Sequence, residues 1–199
     1  MDRGLIISVS GPSGAGKGTV LAKVKEIFPE AGQSISVTTR KPRGEEKDGV
    51  EYYFRSKEEF KELLSNGEII EYDTYVDNFY GTPAAPLKEM SSSGRDVLLD
   101  LTIEGSVALK RYFGEDAITV FLLPPSFKVL EDRLRGRGTE DEETIGKRMA
   151  QARKEVLRAS EFDYIVTNDD LEAATDRIAS IIKAEKLKSS RQAHRTETL

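Results

Sequence analysis

The run Gly11-Pro12-Ser13-Gly14-Ala15-Gly16-Lys17-Gly18-Thr19 sits between the β-branched stretch Leu5-Ile6-Ile7-Ser8-Val9 and a segment with apolar residues at Leu21, Val24 and Phe28. A strand, a glycine-rich turn and a helix start, in that order, form the context a phosphate-binding loop needs. Glycines let backbone N–H groups converge on phosphate oxygens. The helix N-terminus adds a partial positive charge and Lys17 a full one. An ordinary glycine-rich turn has no reason to follow a buried strand and carry a lysine at this offset. The segment therefore reads as a cradle for a nucleoside polyphosphate, with residues 11 to 19 as its contacts.

One position departs from the strict pattern. The lysine of such a loop is normally followed by Ser or Thr, whose hydroxyl ligates Mg²⁺. Here Gly18 takes that place and Thr19 comes next. The Gly-Lys-Gly-Thr ending resembles adenylate-kinase-type small kinases and leaves the metal's protein ligand open. Thr19 is one candidate. Asp100 is the other: it closes the apolar run Val97-Leu98-Leu99, where a Walker-B-like carboxylate reaches Mg²⁺ directly or through water.

At 199 residues the chain fits one globular domain with small inserted lobes. Charged residues make up 33% and the net charge is −5, so no basic surface points to nucleic acid. Cysteine is absent, which excludes disulfides, thiolate metal sites and cysteine nucleophiles, and the single histidine, His194, lies in a polar tail. No apolar run reaches membrane-spanning length, and the one after Arg3 is too short for a secretory signal. The expectation is a cytoplasmic protein with no membrane partner.

Leu5 to Val9, Val97 to Leu101, Ala117 to Leu123 and Tyr164 to Val166 read as buried parallel strands separated by helical patterns. The last helix, roughly Leu171 to Leu187, starts at the Asn168-Asp169-Asp170 capping cluster. This alternation predicts an α/β fold of three layers, a parallel sheet between helices with its ligand at the carboxyl ends of the strands. Residues 34 to 86 and 126 to 150 break the alternation and read as two lobes inserted at the active-site edge. The core is then 1–33, 87–125 and 151–186, with a frayed polar tail at 187–199.

Three clusters carry possible chemistry. Arg40 and Arg43 with Tyr52 and Tyr80 suit an acceptor phosphate, the guanidinium forks binding in bidentate fashion and the phenols donating. By spacing alone they are equally a solvated basic turn beside aromatic packing. Glu71, in Glu68-Ile69-Ile70-Glu71-Tyr72-Asp73, matches guanine, whose N1–H and N2–H₂ lie side by side, whereas adenine would turn a lone pair on it. An exposed acid on an edge strand fits the sequence as well. Arg133, Arg137 and Arg148 are placed to converge on a transferring phosphoryl group, or to lace a helix with salt bridges to Glu131 and Asp132.

Six motifs in order give these clusters a common origin: Ser10-Gly11-Pro12-Ser13-Gly14 with Gly16-Lys17; Ser36-Val37-Thr38-Thr39-Arg40 with Pro42-Arg43; Gly49 to Phe54; Tyr80-Gly81-Thr82; Gly136-Arg137-Gly138-Thr139; and Asn168-Asp169. From Gly4 to Lys186 the chain resembles guanylate kinase, a P-loop nucleoside-monophosphate kinase. The resemblance implies a P-loop nucleoside-triphosphate-hydrolase-type fold with a GMP-binding lobe and a lid, ATP and GMP as small-molecule partners, Mg²⁺ as cofactor, and phosphoryl transfer giving ADP and GDP. It implies that Arg40, Arg43, Tyr52 and Tyr80 hold the GMP phosphate, with Gly81 in the same motif, and that Ser36, Glu71 and Thr82 read guanine. Lys17 and the loop amides would hold the ATP phosphates, Arg133, Arg137 and Arg148 would close from the lid, Asn168 would lie near adenine, and Asp100 beside the metal. Members usually carry an acid where this chain has Thr102, so guanine recognition would fall more heavily on Glu71, unless Glu104 or a water substitutes. Two rivals stand beside this reading: a non-catalytic guanylate-kinase-like module that binds phosphoproteins, and an enzyme with another monophosphate or sugar-phosphate acceptor. A monomer and a homo-oligomer are equally compatible with the sequence.

Overall fold

The computed structural model describes residues 3–136 and 141–193. From the N-terminus, β1 (Ile6–Ser10) leads through the glycine-rich loop into α1 (Lys17–Ile27), then β2 (Gly32–Gln33) and β3 (Val37–Thr38). The chain continues through β4 (Tyr53–Phe54), α2 (Lys57–Ser65), β5 (Ile69–Tyr75), β6 (Asn78–Pro83) and α3 (Ala84–Ser92). Next come β7 (Val97–Asp100), α4 (Ile103–Phe113), β8 (Ala117–Leu123), α5 (Phe127–Gly136) and α6 (Glu142–Val156), then β9 (Tyr164–Thr167), α7 (Leu171–Lys186) and α8 (Ser189–Gln192).

The main sheet is parallel, in the order β2-β7-β1-β8-β9. All of β1 is buried, and its side chains alternate between two cores. Ile7 and Val9 join Val20 and Val24 of α1 and Ile178 and Ile182 of α7, while Ile6 joins Leu87, Val97, Leu99 and Leu109 under α3 and α4. Burial on both faces is why these strands read as unbroken apolar runs. Each such side chain contributes about 1.5–3 kcal/mol of transfer free energy. β1 lies between β7 and β8, with α1 on one face and α4 on the other. A crevice therefore opens at their carboxyl ends, where open α/β sheets bind ligands.

The expected strands appear with end shifts of one residue, and β2 is an addition. A two-residue strand has no periodicity to read. The expected lobe boundaries cut through helices: α3 crosses residue 86 and α6 crosses residue 150. Ahead of α3, β4-β3-β6-β5 form a second sheet over a small core of Val37, Phe60 and Ile69, with Phe60 and Phe79 stacked at 5.3 Å. α5 and α6 close a fourth core through Leu130, Leu134, Ile145, Met149 and Ala152.

The described part of the tail, residues 187–193, differs from its expected fraying. α7 ends at Lys186 and the chain turns into α8, where Arg191, largely buried, pairs with Asp116 at 3.4 Å and donates to the carbonyl of Glu115. Asp116 also accepts from Arg3 at 3.1 Å, so one carboxylate ties both chain ends to the turn after α4. His194 lies outside the described residues. No described helix is long and apolar enough to cross a membrane.

The β5–β6 hairpin closes on Val76 (φ 45°) and Asp77 (φ 61°). Both residues have positive φ, as a type I′ turn requires, which a β-branched side chain resists. Val76 is 73% exposed and has little packing to lose. Val76→Asn should therefore stabilise the fold by about 1 kcal/mol, seen as a higher urea midpoint with an unchanged slope.

Candidate active site

The loop after β1 is shaped by left-handed backbone. Gly11, Gly14 and Gly16 have φ of 143°, 91° and 96°, and Gly16 caps α1 in the left-handed region. At Gly16 a Cβ would stand 2.5 Å from the Asn168 amide nitrogen. That nitrogen donates to the carbonyl of Ala15 at 2.7 Å. Gly14 packs instead against Leu130 and Leu134 of α5, seating the α5–α6 pair on the loop. Lys17 Nζ donates to the carbonyl of Gly11 at 2.8 Å, folding the ammonium back over the loop mouth. Pro12 and Ala15 are buried; Gly18 and Thr19 are exposed. Nothing lies within 4 Å of a Cβ at Gly18, so glycine is not sterically required there.

Two cavities meet at the carboxyl end of β7. One of about 430 Å³ is lined by Gly11, Ser13, Lys17, Asp100, Leu101 and Thr102 together with Ile103, Glu104 and Glu155. The other, about 370 Å³, includes Ser36, Thr82, Glu51, Asp100 and Leu101. Asp100 and Leu101 belong to both. Asp100 keeps solvent access at the cleft, yet the protein packed behind it pushes its carboxyl above the usual carboxylate range; the Lys17 ammonium pulls the other way. Thr19 lines neither cavity.

Arg40, Tyr52 and Tyr80 come together in the second sheet. The Arg40 guanidinium lies 5.3 Å from the Tyr52 ring centroid, and the two tyrosine rings meet edge-on at 5.9 Å. Its fork is held by Glu46, with Nη1 and Nη2 donating at 2.9 and 3.0 Å. Glu46 also accepts from the backbone N–H of Arg43 at 2.7 Å. This contact keeps Arg40 protonated and holds the Glu46 carboxyl below its ordinary range. Glu46 was not among the residues expected from sequence. Its signal was available, a carboxylate three residues after Arg43 and six after Arg40.

Glu71 is half-buried on β5 and accepts from the Thr82 hydroxyl at 2.5 Å across the β5–β6 pair. Burial raises its carboxyl above the ordinary value, the Thr82 hydrogen bond opposes this, and Asp73 adds to it. Gly81 is buried, its missing side chain making room for Ile69 and Phe60. That is packing inside the lobe, between Tyr80 and Thr82 of the same motif. Thr102 caps α4, its hydroxyl oxygen accepting from the N–H of Gly105 at 3.0 Å.

The lid arginines separate. Arg148 reaches the loop, Nη1 donating to the Ser13 hydroxyl at 2.6 Å. Arg133, expected beside the transferring group, instead donates to the carbonyls of Ala15 (3.3 Å) and Asn168 (3.0 Å), outside the cavity that holds Lys17. Asn168 is itself buried against the loop. Arg137 lies outside the described residues. Among those residues no group of three or more His, Cys, Asp or Glu side chains could hold a metal ion.

Three comparisons with known proteins bear on this geometry. Residues 2–185 match the family model described as guanylate kinase. A guanylate kinase of Carboxydothermus hydrogenoformans is 43% identical over 195 residues, covering 98% of this chain and 95% of that protein. One from Lactobacillus delbrueckii subsp. bulgaricus is 46% identical over 186 residues, covering 92% and 90%. The crystal structure of guanylate kinase from Anaplasma phagocytophilum superposes with a TM-score of 0.70 at 35% identity, over 96% of this chain and 90% of that one. With a family match spanning nearly its whole length and relatives of this identity and coverage, the chain belongs to the guanylate kinase family.

Proposed function

We propose that the protein transfers the terminal phosphoryl group of ATP to GMP, giving ADP and GDP, with dGMP as a second acceptor. The observation that carries this reading is the pair of cavities joined at Asp100. One carries the phosphate loop and Lys17; the other carries hydroxyls suited to a purine edge.

The acceptor is an anion, so its phosphate oxygen attacks the γ-phosphorus without a general base, and ADP departs in line. Positioning and charge neutralisation are what the protein must supply. Lys17 and the loop amides hold the donor phosphates, and Arg148, beside Ser13, faces the same end. Arg40 with Tyr52 and Tyr80 holds the GMP phosphate, and Glu46 sets the Arg40 fork. Glu71 accepts from guanine N1–H and N2–H₂, with Ser36 and Thr82 at the same crease. Arg133 and Asn168 shape the loop from behind.

A divalent cation fits this donor set as a partner of the nucleotide. Asp100 offers one carboxylate, and phosphates and waters complete the coordination Mg²⁺ prefers. Bound there, Mg²⁺ would neutralise phosphate charge. Thr19, exposed and lining neither cavity, is the less favoured of the two expected ligands. Family membership accords with a cytoplasmic enzyme.

A coupled assay for ADP formation with GMP, dGMP, AMP, UMP and IMP tests the reading. GMP should give the highest kcat/KM. ADP formation with none of them would favour the non-catalytic module, and a better non-guanine acceptor would favour the other rival. Arg40→Ala should raise the KM for GMP on the order of a hundredfold and leave the KM for ATP near its starting value.

Thr102→Asp keeps a good helix cap, since Asp and Thr both cap well, and adds a carboxylate on the turn whose Gly105 packs against Glu71. The KM for GMP should fall several-fold without loss of thermal stability; an unchanged or higher value would count against guanine lying there.

Glu71 must be ionised to accept two hydrogen bonds. Because its carboxyl is raised, protonation sets in at a higher pH than for an ordinary carboxylate. The KM for GMP should be flat at neutral pH and climb as pH falls, before the ordinary value of about 4.3 is reached. Glu71→Gln should flatten that climb in the same KM–pH profile.

A further inference from the structure

Gly105 sits in the first turn of α4, buried, with ordinary helical backbone. Nothing in its conformation asks for glycine, and glycine weakens a helix relative to alanine. Its surroundings give the reason. A Cβ built there would lie 3.2 Å from each of Cγ, Cδ and Oε2 of Glu71. Those atoms belong to the carboxylate arm assigned to guanine, and they arrive from another sheet, on β5. On its far side the same arm is tethered, Oε1 accepting from Thr82 at 2.5 Å. Glu71 is thus pinned between a hydroxyl and a bare helix turn and cannot retreat without giving up the Thr82 bond. The turn is also fixed, because the N–H of Gly105 is held by the Thr102 cap.

We infer that Gly105 is a positioning residue for base specificity: its missing side chain lets α4 set where the Glu71 carboxylate stands, and through it the discrimination between guanine and hypoxanthine acceptors. This rests on the assignment of Glu71 to guanine. A carboxylate that accepts from two adjacent donors tolerates little displacement, because both hydrogen bonds lengthen together. Hypoxanthine lacks the 2-amino group and offers one of the two donors, so it loses less. A methyl group at position 105 displaces the carboxylate by a few tenths of an ångström. It therefore erodes preference for GMP over IMP while improving the helix that carries it.

The test is a double-mutant cycle of Gly105→Ala and Glu71→Gln, read by kcat/KM for GMP and IMP and by thermal melting. Gly105→Ala should lower kcat/KM for GMP about tenfold and for IMP no more than about threefold, leave the KM for ATP unchanged, and melt at or above the wild-type temperature. In the Glu71→Gln background the alanine should have no further effect on GMP. Unchanged GMP kinetics in a folded Gly105→Ala protein, or an equal loss with and without the Glu71 carboxylate, overturns the inference. Should Glu71→Gln alone leave GMP kinetics untouched, the assignment of Glu71 fails instead, a separate result. If Gly105→Ala melts low, Gly105→Ala with Glu71→Ala decides: recovery of the melting temperature supports contact with Glu71, and no recovery refutes it.

Discussion

The carbonyl oxygen of Ala15 is the node on which the rest of the site depends. It accepts from the Asn168 amide at the start of the α7 connection and from Arg133 on α5. A phosphate-binding loop works only if its N–H groups point inward, so its carbonyls must point outward and find donors there. Two donors from distant parts of the chain meet that need at Ala15. Gly16 must have no side chain for Asn168 to reach it. Arg133 and Asn168, 118 and 153 positions from Ala15, are held to one peptide plane, and Gly14 seats the α5–α6 pair on the loop beside them.

The acceptor side follows a different logic, in which carboxylates are controlled by their neighbours. Glu46 accepts from both Nη1 and Nη2 of Arg40, holding a long flexible side chain in one orientation. Glu71 is raised by burial and steadied by Thr82, and Asp100 is raised at the junction of the two cavities but drawn back by Lys17. Each acid is set by a different balance of desolvation, hydrogen bonding and charge. The differences accord with the separate tasks proposed for them: shaping a cation, reading donors and standing beside transferred phosphate.

Much of this was legible from local pattern. The strand–loop–helix around Lys17 and the buried strands at β1, β7 and β8 announce themselves through hydrophobic runs and glycines, because parallel strands buried on both faces leave a strong one-dimensional trace; β9, also expected to be buried, is the sheet edge, with Val166 inside and Ile165 exposed. The Asp170 cap of α7 was equally readable, its side chain accepting from the N–H of Ala173 at 2.9 Å. The ordered turn at Arg191 was hidden because its partner, Asp116, lies 75 positions away. β2 was hidden because two residues carry no period.

Chain order alone therefore determined the fold class, the phosphate loop and the family's motifs, since those depend on spacing along a few consecutive residues. Where the side chains point was decided in three dimensions. Arg133 turned to the loop's outer carbonyls, Gly81 into the lobe's packing, and Gly105 against Glu71. Such contacts join residues 10 to more than 100 positions apart, and their directions follow from how two sheets and a helix pair meet, a geometry that no local periodicity encodes.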